Sequence, residues 1–201
     1  MPIYSPDLLP KIQANDPTVT QLICSQVIGI NLTSQEVEDI ATALQNNTKV
    51  ETISFLGNPV NTIAARLLAQ FFMVNTGLKQ VYLGTCDLRS NVSIILQPLE
   101  NHPSLVSLDL NTNNLGDADR LHITSLLEKN TVLEELEVGN NNFTRETYQM
   151  MRDALEKNPE LAAKLDFCST PEQYFDSPEK DVIEEIQAFC ESKNMGIGCK
   201  M

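Results

Sequence analysis

The stretch LEELEVGNNNF, residues 133–143, combines two kinds of side chain that could bind a ligand. Glu134, Glu135 and Glu137 are nearly adjacent carboxylates, and three asparagines follow at positions 140–142. Two carboxylates can work as general acid and base only when both face the substrate. On a strand, residues three apart point to opposite faces, so Glu134 and Glu137 do not form such a pair. The stretch is therefore either a polar binding site or a structural motif.

Five cysteines, at positions 24, 86, 168, 190 and 199, are the other candidates for chemistry. The odd number, the wide spacing and the lack of a secretory signal predict free thiols in the cytoplasm. Cys168 or Cys190 would need a nearby base to act as a nucleophile, and the two histidines lie at positions 102 and 122. No pair has zinc-ligand spacing. We expect no metal, no cofactor and no enzymatic activity.

The net charge of −13 argues against nucleic acid and anionic membranes as partners, since both favour a positive surface. No apolar stretch is long enough to span a bilayer. The acid is concentrated late in the chain, with fifteen Asp or Glu against five Lys or Arg between Glu134 and Glu191. This charge fits a basic partner protein. We also expect the chain to be a monomer.

The opening stretch is one copy of a repeat. The pattern Leu-x-x-Leu-x-Leu-x-x-Asn-x-Leu starts at positions 50, 78, 105 and 133, and Leu161 begins where the next copy would. These starts are 28, 27, 28 and 28 residues apart, and an irregular earlier copy spans residues 19–32. A fixed period of this length predicts a leucine-rich repeat solenoid. We expect an α/β fold of about five repeats, right-handed, with a parallel sheet on the concave face, helices on the convex face and a C-terminal helical cap.

Each unit should position its polar residues with a strand followed by a helix. In the first helix the apolar residues have helical spacing, and Thr33 with Glu36 forms a capping-box pattern. The third unit is one residue short and contains Pro98, which predicts a shortened or bent helix. Four asparagines end the helices three residues before a repeat start, where we expect a left-handed terminus: Asn47, Asn75, Asn130 and Asn158.

Strand alternation separates core positions from concave positions. The middle concave position of each strand should form a row that runs from apolar to acidic: Ile23, Ser54, Tyr82, Asp109 and Glu137. Leu56 and Glu135 lie beside that row, and Ser25 is a further concave candidate. We predict partner binding by Ile23, Ser54, Leu56, Tyr82, Asp109, Glu135 and Glu137, because the concave sheet is the usual binding surface of a solenoid.

The asparagine of the repeat pattern has a structural interpretation. It recurs as Asn58, Cys86, Asn113 and Asn141. We expect these side chains to form a ladder of hydrogen bonds to the backbone of neighbouring turns. In the opening stretch, only Glu135 and Glu137 then remain as partner contacts.

Four segments are expected along the chain. Residues 1–18 form an N-terminal cap, residues 19–165 the repeats, residues 166–194 the C-terminal capping helices and residues 195–201 a flexible tail. Helix-start patterns lie at Thr170 and at Ser177.

The repeat resembles the leucine-rich repeats of ribonuclease inhibitor, whose family alternates Asn and Cys at the ladder position. A closer likeness is to the C-terminal repeat domain of tropomodulin and leiomodin, on the entry Asn15-Asp16-Pro17, helices ending in AL-x-x-N-T and a closing helix. That resemblance implies actin binding.

Four hypotheses for function follow. The first is a non-catalytic protein-interaction module that binds its partner on the concave face. The second is an actin-binding, tropomodulin-like module. The third is a bacterial effector exported into a host cell without an N-terminal signal, since the acidic C-terminus resembles type IV export signals. The fourth is a Cys-dependent enzyme.

Overall fold

Six short strands alternate with helices in the computed structural model, which describes residues 7–24, 31–168 and 180–197, with side chains through residue 194. The strands are Gln21–Ile23 (β1), Thr52–Ser54 (β2), Gln80–Tyr82 (β3), Ser107–Asp109 (β4), Glu135–Glu137 (β5) and Asp166–Phe167 (β6). The helices are Leu8–Gln13 (α1), Ser34–Leu44 (α2), Thr62–Val74 (α3), Val92–Leu99 (α4), Arg120–Lys129 (α5), Arg145–Lys157 (α6), Pro159–Ala162 (α7) and Lys180–Ile197 (α8).

All strands are parallel, and each pairs only with its neighbours in sequence order, from β1 to β6. One row of residues, with one member from each strand, points into the core, and each member is no more than 1% exposed: Leu22, Ile53, Val81, Leu108, Leu136 and Phe167. One unit buries its apolar face against the next, so the stack has a continuous core. The prediction of an α/β leucine-rich repeat solenoid is confirmed.

The helices follow the sequence pattern. In α2 the apolar residues with helical spacing are Val37, Ile40, Ala41 and Leu44, and all four are fully buried. Thr33 Oγ1 accepts the Glu36 N–H at 3.2 Å, and the Glu36 carboxylate accepts the Thr33 N–H at 2.8 Å, which is the predicted capping box. The helix α4 has eight residues with Pro98 inside it, against thirteen in α3. The expected shortening of the third helix is therefore present.

The helix α8 covers the last repeat by packing on β6, α6 and α7. Its apolar residues Val182, Ile183, Ile186 and Cys190 are buried. The Gln187 side chain accepts the Phe167 N–H at 2.8 Å on the edge of β6 away from β5. This contact closes an edge that could otherwise pair with another chain. Among the described helices, none combines the length and apolar character needed to cross a bilayer.

Several predictions fall outside the described residues. These are Ser25 in the irregular first copy, where residues 25–30 are not described, the helix starts at Thr170 and Ser177, and residues 198–201 of the tail. The division into four segments stays a prediction.

The expected left-handed helix termini are wrong. Asn75 and Asn130 have φ of −90° and −72°, and left-handed residues occur instead just after the strands, at Gly57, Thr85, Thr112 and Asn140. The helix-end asparagines are buried and serve as connectors. Asn130 Nδ2 donates to Leu99 O of the preceding repeat at 3.1 Å, and its Oδ1 accepts the N–H groups of Val132 and Leu133 at 2.8 Å each. Burial of these polar backbone groups requires such partners.

We call this set the junction ladder: Asn47, Asn75, His102, Asn130 and Asn158. His102 occupies the asparagine position in the third unit and is 3% exposed. Its Nε2 lies 2.8 Å from the Asn75 carbonyl oxygen, which can only accept, so Nε2 carries the proton. Nδ1 then accepts the Ser104 N–H at 3.4 Å. Burial lowers the pKa of His102, an effect that the hydrogen bond to Asn75 opposes.

Replacing His102 by asparagine should change the free energy of unfolding by about 1 kcal/mol or less at pH 7.5, because asparagine makes the equivalent bonds in four other repeats. The wild type should lose stability relative to His102→Asn as the pH falls from the ordinary histidine pKa of about 6.5. The reason is that the folded-state pKa is lowered, so the unfolded chain takes up the proton first. Urea unfolding at pH 7.5 and pH 5.5 measures this; parallel pH profiles for the two proteins would contradict it.

Candidate functional site

The strand register aligns the outward residues of the sheet in rows. Ile23 pairs with Ser54, Ser54 with Tyr82, Tyr82 with Asp109, and Asp109 with Glu137. The row that alternation predicts from the sequence is therefore the row in the sheet, with its apolar residue on β1 and its acidic residues on β4 and β5. A second row contains Gln21, Thr52, Gln80, Ser107 and Glu135.

Accessibility differs along these rows. Ile23 and Leu56 are 54% and 40% exposed, whereas Ser54 and Glu137 are only 3% and 5% exposed. Strands lie about 4.8 Å apart, so a residue on an inner strand is shielded by side chains of both neighbouring strands, whereas Ile23 lies on the edge strand β1. Outward direction on the strand thus did not guarantee an exposed side chain. Tyr82, Asp109 and Glu135 are half-buried.

A groove of about 460 Å³ lies on this face of the sheet. It brings together five of the seven predicted contact residues, Leu56, Tyr82, Asp109, Glu135 and Glu137, and leaves out Ile23 and Ser54. Its remaining lining is small or polar: Gly57, Gly84, Thr85, Ser107, Asn111 and Thr112. No Lys, Arg or His is among these described lining residues.

Gly84 lets the apolar and acidic parts of the groove come close together. A Cβ at position 84 would lie 2.7 Å from Asp109 Oδ2 and 2.8 Å from Leu56 Cδ1. Both distances are too short for a side chain to fit without displacing its neighbours. Glycine therefore allows the Leu56 side chain and the Asp109 carboxylate to reach the same space.

The three carboxylates are held in different ways. Asp109 Oδ1 accepts the Asn111 N–H at 2.9 Å, Glu135 Oε2 accepts the Ser107 hydroxyl at 2.6 Å, and Glu137 Oε2 accepts the Asn111 side-chain amide at 3.3 Å. Burial raises the pKa of Asp109 to about 6; the Asn111 N–H opposes this, and the charges of Glu137 and Glu135 add to it. Asp109 is therefore a carboxylate whose charge the folded protein disfavours.

The repeat asparagines form a second ladder. It lies just after the strands, whereas the junction ladder lies just before them. Asn113 Oδ1 accepts the N–H groups of Cys86 and Leu88, at 3.0 and 3.2 Å, while Nδ2 donates to Leu83 O and Leu110 O at 2.7 and 3.0 Å. Asn58 and Asn141 bond their own turn and the preceding repeat in the same way. Cys86 Sγ lies 3.2 Å from Phe55 O.

Cys168 is a ladder residue that our sequence interpretation missed. It lies 27 residues after Asn141, the spacing that separates Cys86 from Asn113, and its Sγ accepts the Val138 N–H at 3.5 Å. The repeat period itself could have located it.

The described cysteines do not have the environment of a nucleophile. Burial raises the pKa of Cys24 and Cys86 to about 12 and that of Cys190 to about 11, and it raises the pKa of Cys168 as well. A reactive thiol needs a lowered pKa. Cys168 and Cys190, the proposed nucleophiles, are therefore stabilised as thiols, and Cys199 lies outside the described residues.

Parallel strands, one per repeat, and a ladder of Asn and Cys give this chain the α/β fold of a leucine-rich repeat solenoid. Its repeats are similar to the C-terminal domains of leiomodin and tropomodulin. The alignment with a solved structure of leiomodin-1 actin-binding site 2 covers 76% of this chain and 87% of the leiomodin-1 chain, with a TM-score of 0.60 and 20% identity. The alignment with the tropomodulin C-terminal domain of Caenorhabditis elegans covers 77% of this chain and 92% of that domain, with a TM-score of 0.57 and 17% identity.

In sequence, the chain is 28% identical to human leiomodin-2 over 138 residues, which is 67% of this chain. The match spans only 25% of the length of leiomodin-2. No protein-family model matches the chain. At 20% and 17% identity the structural likenesses concern the fold, and none of these three proteins supports the effector or enzyme hypotheses.

Proposed function

We propose that this chain is a non-catalytic protein-binding module and that its partner is actin. The observation that carries the proposal is the agreement of two similarities in one region. The sequence matches leiomodin-2 over 67% of the chain, and the fold matches a structure of the actin-binding site 2 of leiomodin-1. The raised pKa values of the described thiols support the non-catalytic part.

We assign the binding to the concave face of the sheet. Leu56 and Tyr82 would supply apolar contact, while Asp109, Glu135 and Glu137 would select a basic surface on the partner. Ile23, 54% exposed at the β1 end, extends the apolar part. Ser54 contributes shape rather than contact, since it is 3% exposed and, unlike Glu137, does not line the groove.

Co-sedimentation with actin filaments, together with a binding titration on monomeric actin held unpolymerised by latrunculin, tests the proposal. We expect saturable binding to at least one form at micromolar concentrations, weakened by salt because charged groups contribute. Absence of binding to both forms at tens of micromolar would overturn actin as the partner.

A further inference from the structure

The groove has two chemically different parts in a fixed order. Leu56, 40% exposed, and the ring of Tyr82 form one part, on the β2 and β3 side. Asp109, Glu135 and Glu137 form the other part, on β4 and β5. Gly84 lies between them, and its lack of a side chain lets Leu56 and Asp109 pack close to each other over its backbone.

The shape of the groove suits a long side chain. Neighbouring strands are about 4.8 Å apart, so a ligand that reaches from β3 to β5 must extend about 10 Å. A volume of about 460 Å³ lies within the range of pockets that enclose small ligands, about 300–1,000 Å³. It accommodates one extended side chain with some of its backbone.

The electrostatics favour a cation at the β4–β5 end. Asp109 and Glu135 form no ion pair with any described residue, and the described lining has no basic group. Charges of like sign raise one another's energy at short range, and a bound cation relieves this repulsion. No cluster of three His, Cys, Asp or Glu among the described residues could hold a metal ion.

We infer that this groove receives one arginine or lysine side chain of the bound protein. Its aliphatic stem lies against Leu56 and Tyr82, and its charged head lies between Asp109 and Glu137. Long basic side chains bury their stems on apolar surface while their heads find polar partners, which matches the order of chemistry in the groove. The inference rests on the proposed function, because it assigns a contact to the proposed partner-binding face.

The test uses the full chain labelled with ¹⁵N and three small probes at low salt. The probes are N-acetyl-argininamide, N-acetyl-lysinamide and the uncharged N-acetyl-citrullinamide. We expect the backbone amide signals of Gly84, Thr85 and Asn111 to shift with a millimolar Kd for a basic probe and to remain still with the citrulline probe. The two basic probes show which head group the groove prefers.

Variants locate the effect. Asp109→Asn and Glu137→Gln should each weaken probe binding about tenfold, and Gly84→Ala should abolish it, because the added Cβ would displace the Leu56 side chain and the Asp109 carboxylate. Glu134→Gln is the matched control, because Glu134 is exposed, neighbours Glu135 in sequence and does not line the groove. It should bind like the wild type.

Equal shifts with the citrulline probe, or wild-type binding by Asp109→Asn and Gly84→Ala, would overturn the inference. The proposed function is tested separately by the actin experiments. Actin binding that survives in Gly84→Ala, with no response to the basic probes, would remove the groove contact and leave the actin proposal in place. A response to the probes without actin binding would support the groove and remove actin as the partner.

Discussion

Replacing Asn141 by alanine should lower the free energy of unfolding by about 4 kcal/mol or more, because four buried backbone groups lose their hydrogen-bond partner. Asn141 is 6% exposed. Its Oδ1 accepts the N–H groups of Asn113 and Leu115 at 2.9 and 3.1 Å, and its Nδ2 donates to Leu110 O and Val138 O at 3.1 and 2.7 Å. Alanine satisfies none of these four backbone groups, and each unsatisfied buried group costs about 1–3 kcal/mol.

Asn142→Ala is the control, because Asn142 is the next residue and its side chain is exposed. We expect it to change stability by about 0.5 kcal/mol or less. Urea unfolding followed by circular dichroism compares the two variants. Similar midpoints for Asn141→Ala and the wild type would show that the ladder is not needed for stability.

Replacing Asp109 by asparagine should raise stability by roughly 1–3 kcal/mol at pH 8 and leave it unchanged near pH 4. Burial raises the folded-state pKa from 3.8 to about 6. The folded protein therefore favours the protonated form. This contribution is fully present below pH 3.8 and is lost as the pH rises through about 6. Asparagine stays neutral throughout and can still accept the Asn111 N–H.

Unfolding curves at pH 4 and pH 8 measure the difference, with Glu134→Gln as an exposed carboxylate whose removal should have little effect at either pH. A lower stability of Asp109→Asn at pH 8 would contradict the argument. The same variant should bind a basic partner less well. Stability lost at a position that binds a partner is a common compromise in functional sites.

The sequence was enough to predict the repeat, the parallel sheet and the row from Ile23 to Glu137. These follow from a period of 27 or 28 residues and from strict alternation on a strand, which leave little freedom for register. The helix stripe and the Thr33–Glu36 cap are local patterns and were equally readable.

Other features depend on contacts between repeats. The role of Asn47, Asn75, Asn130 and Asn158 was misjudged because a left-handed helix end is a local preference, whereas bonds to the preceding repeat decide their conformation. His102 was not recognised as their equivalent, since its residue type differs. The shielding of Ser54 and Glu137 depends on neighbouring strands, and the space beside Gly84 depends on the paths of two side chains from other repeats.

The central claim is that actin binds to the concave face, and a photo-crosslinker tests it most directly. p-Benzoylphenylalanine is placed at position 82, in the groove, or at position 63, where Ile63 is 56% exposed on the helix α3 and does not line the groove. After illumination with actin, we predict a crosslink from position 82 that is at least several-fold stronger than that from position 63. Actin crosslinked equally from both positions, or mainly from position 63, would contradict the account.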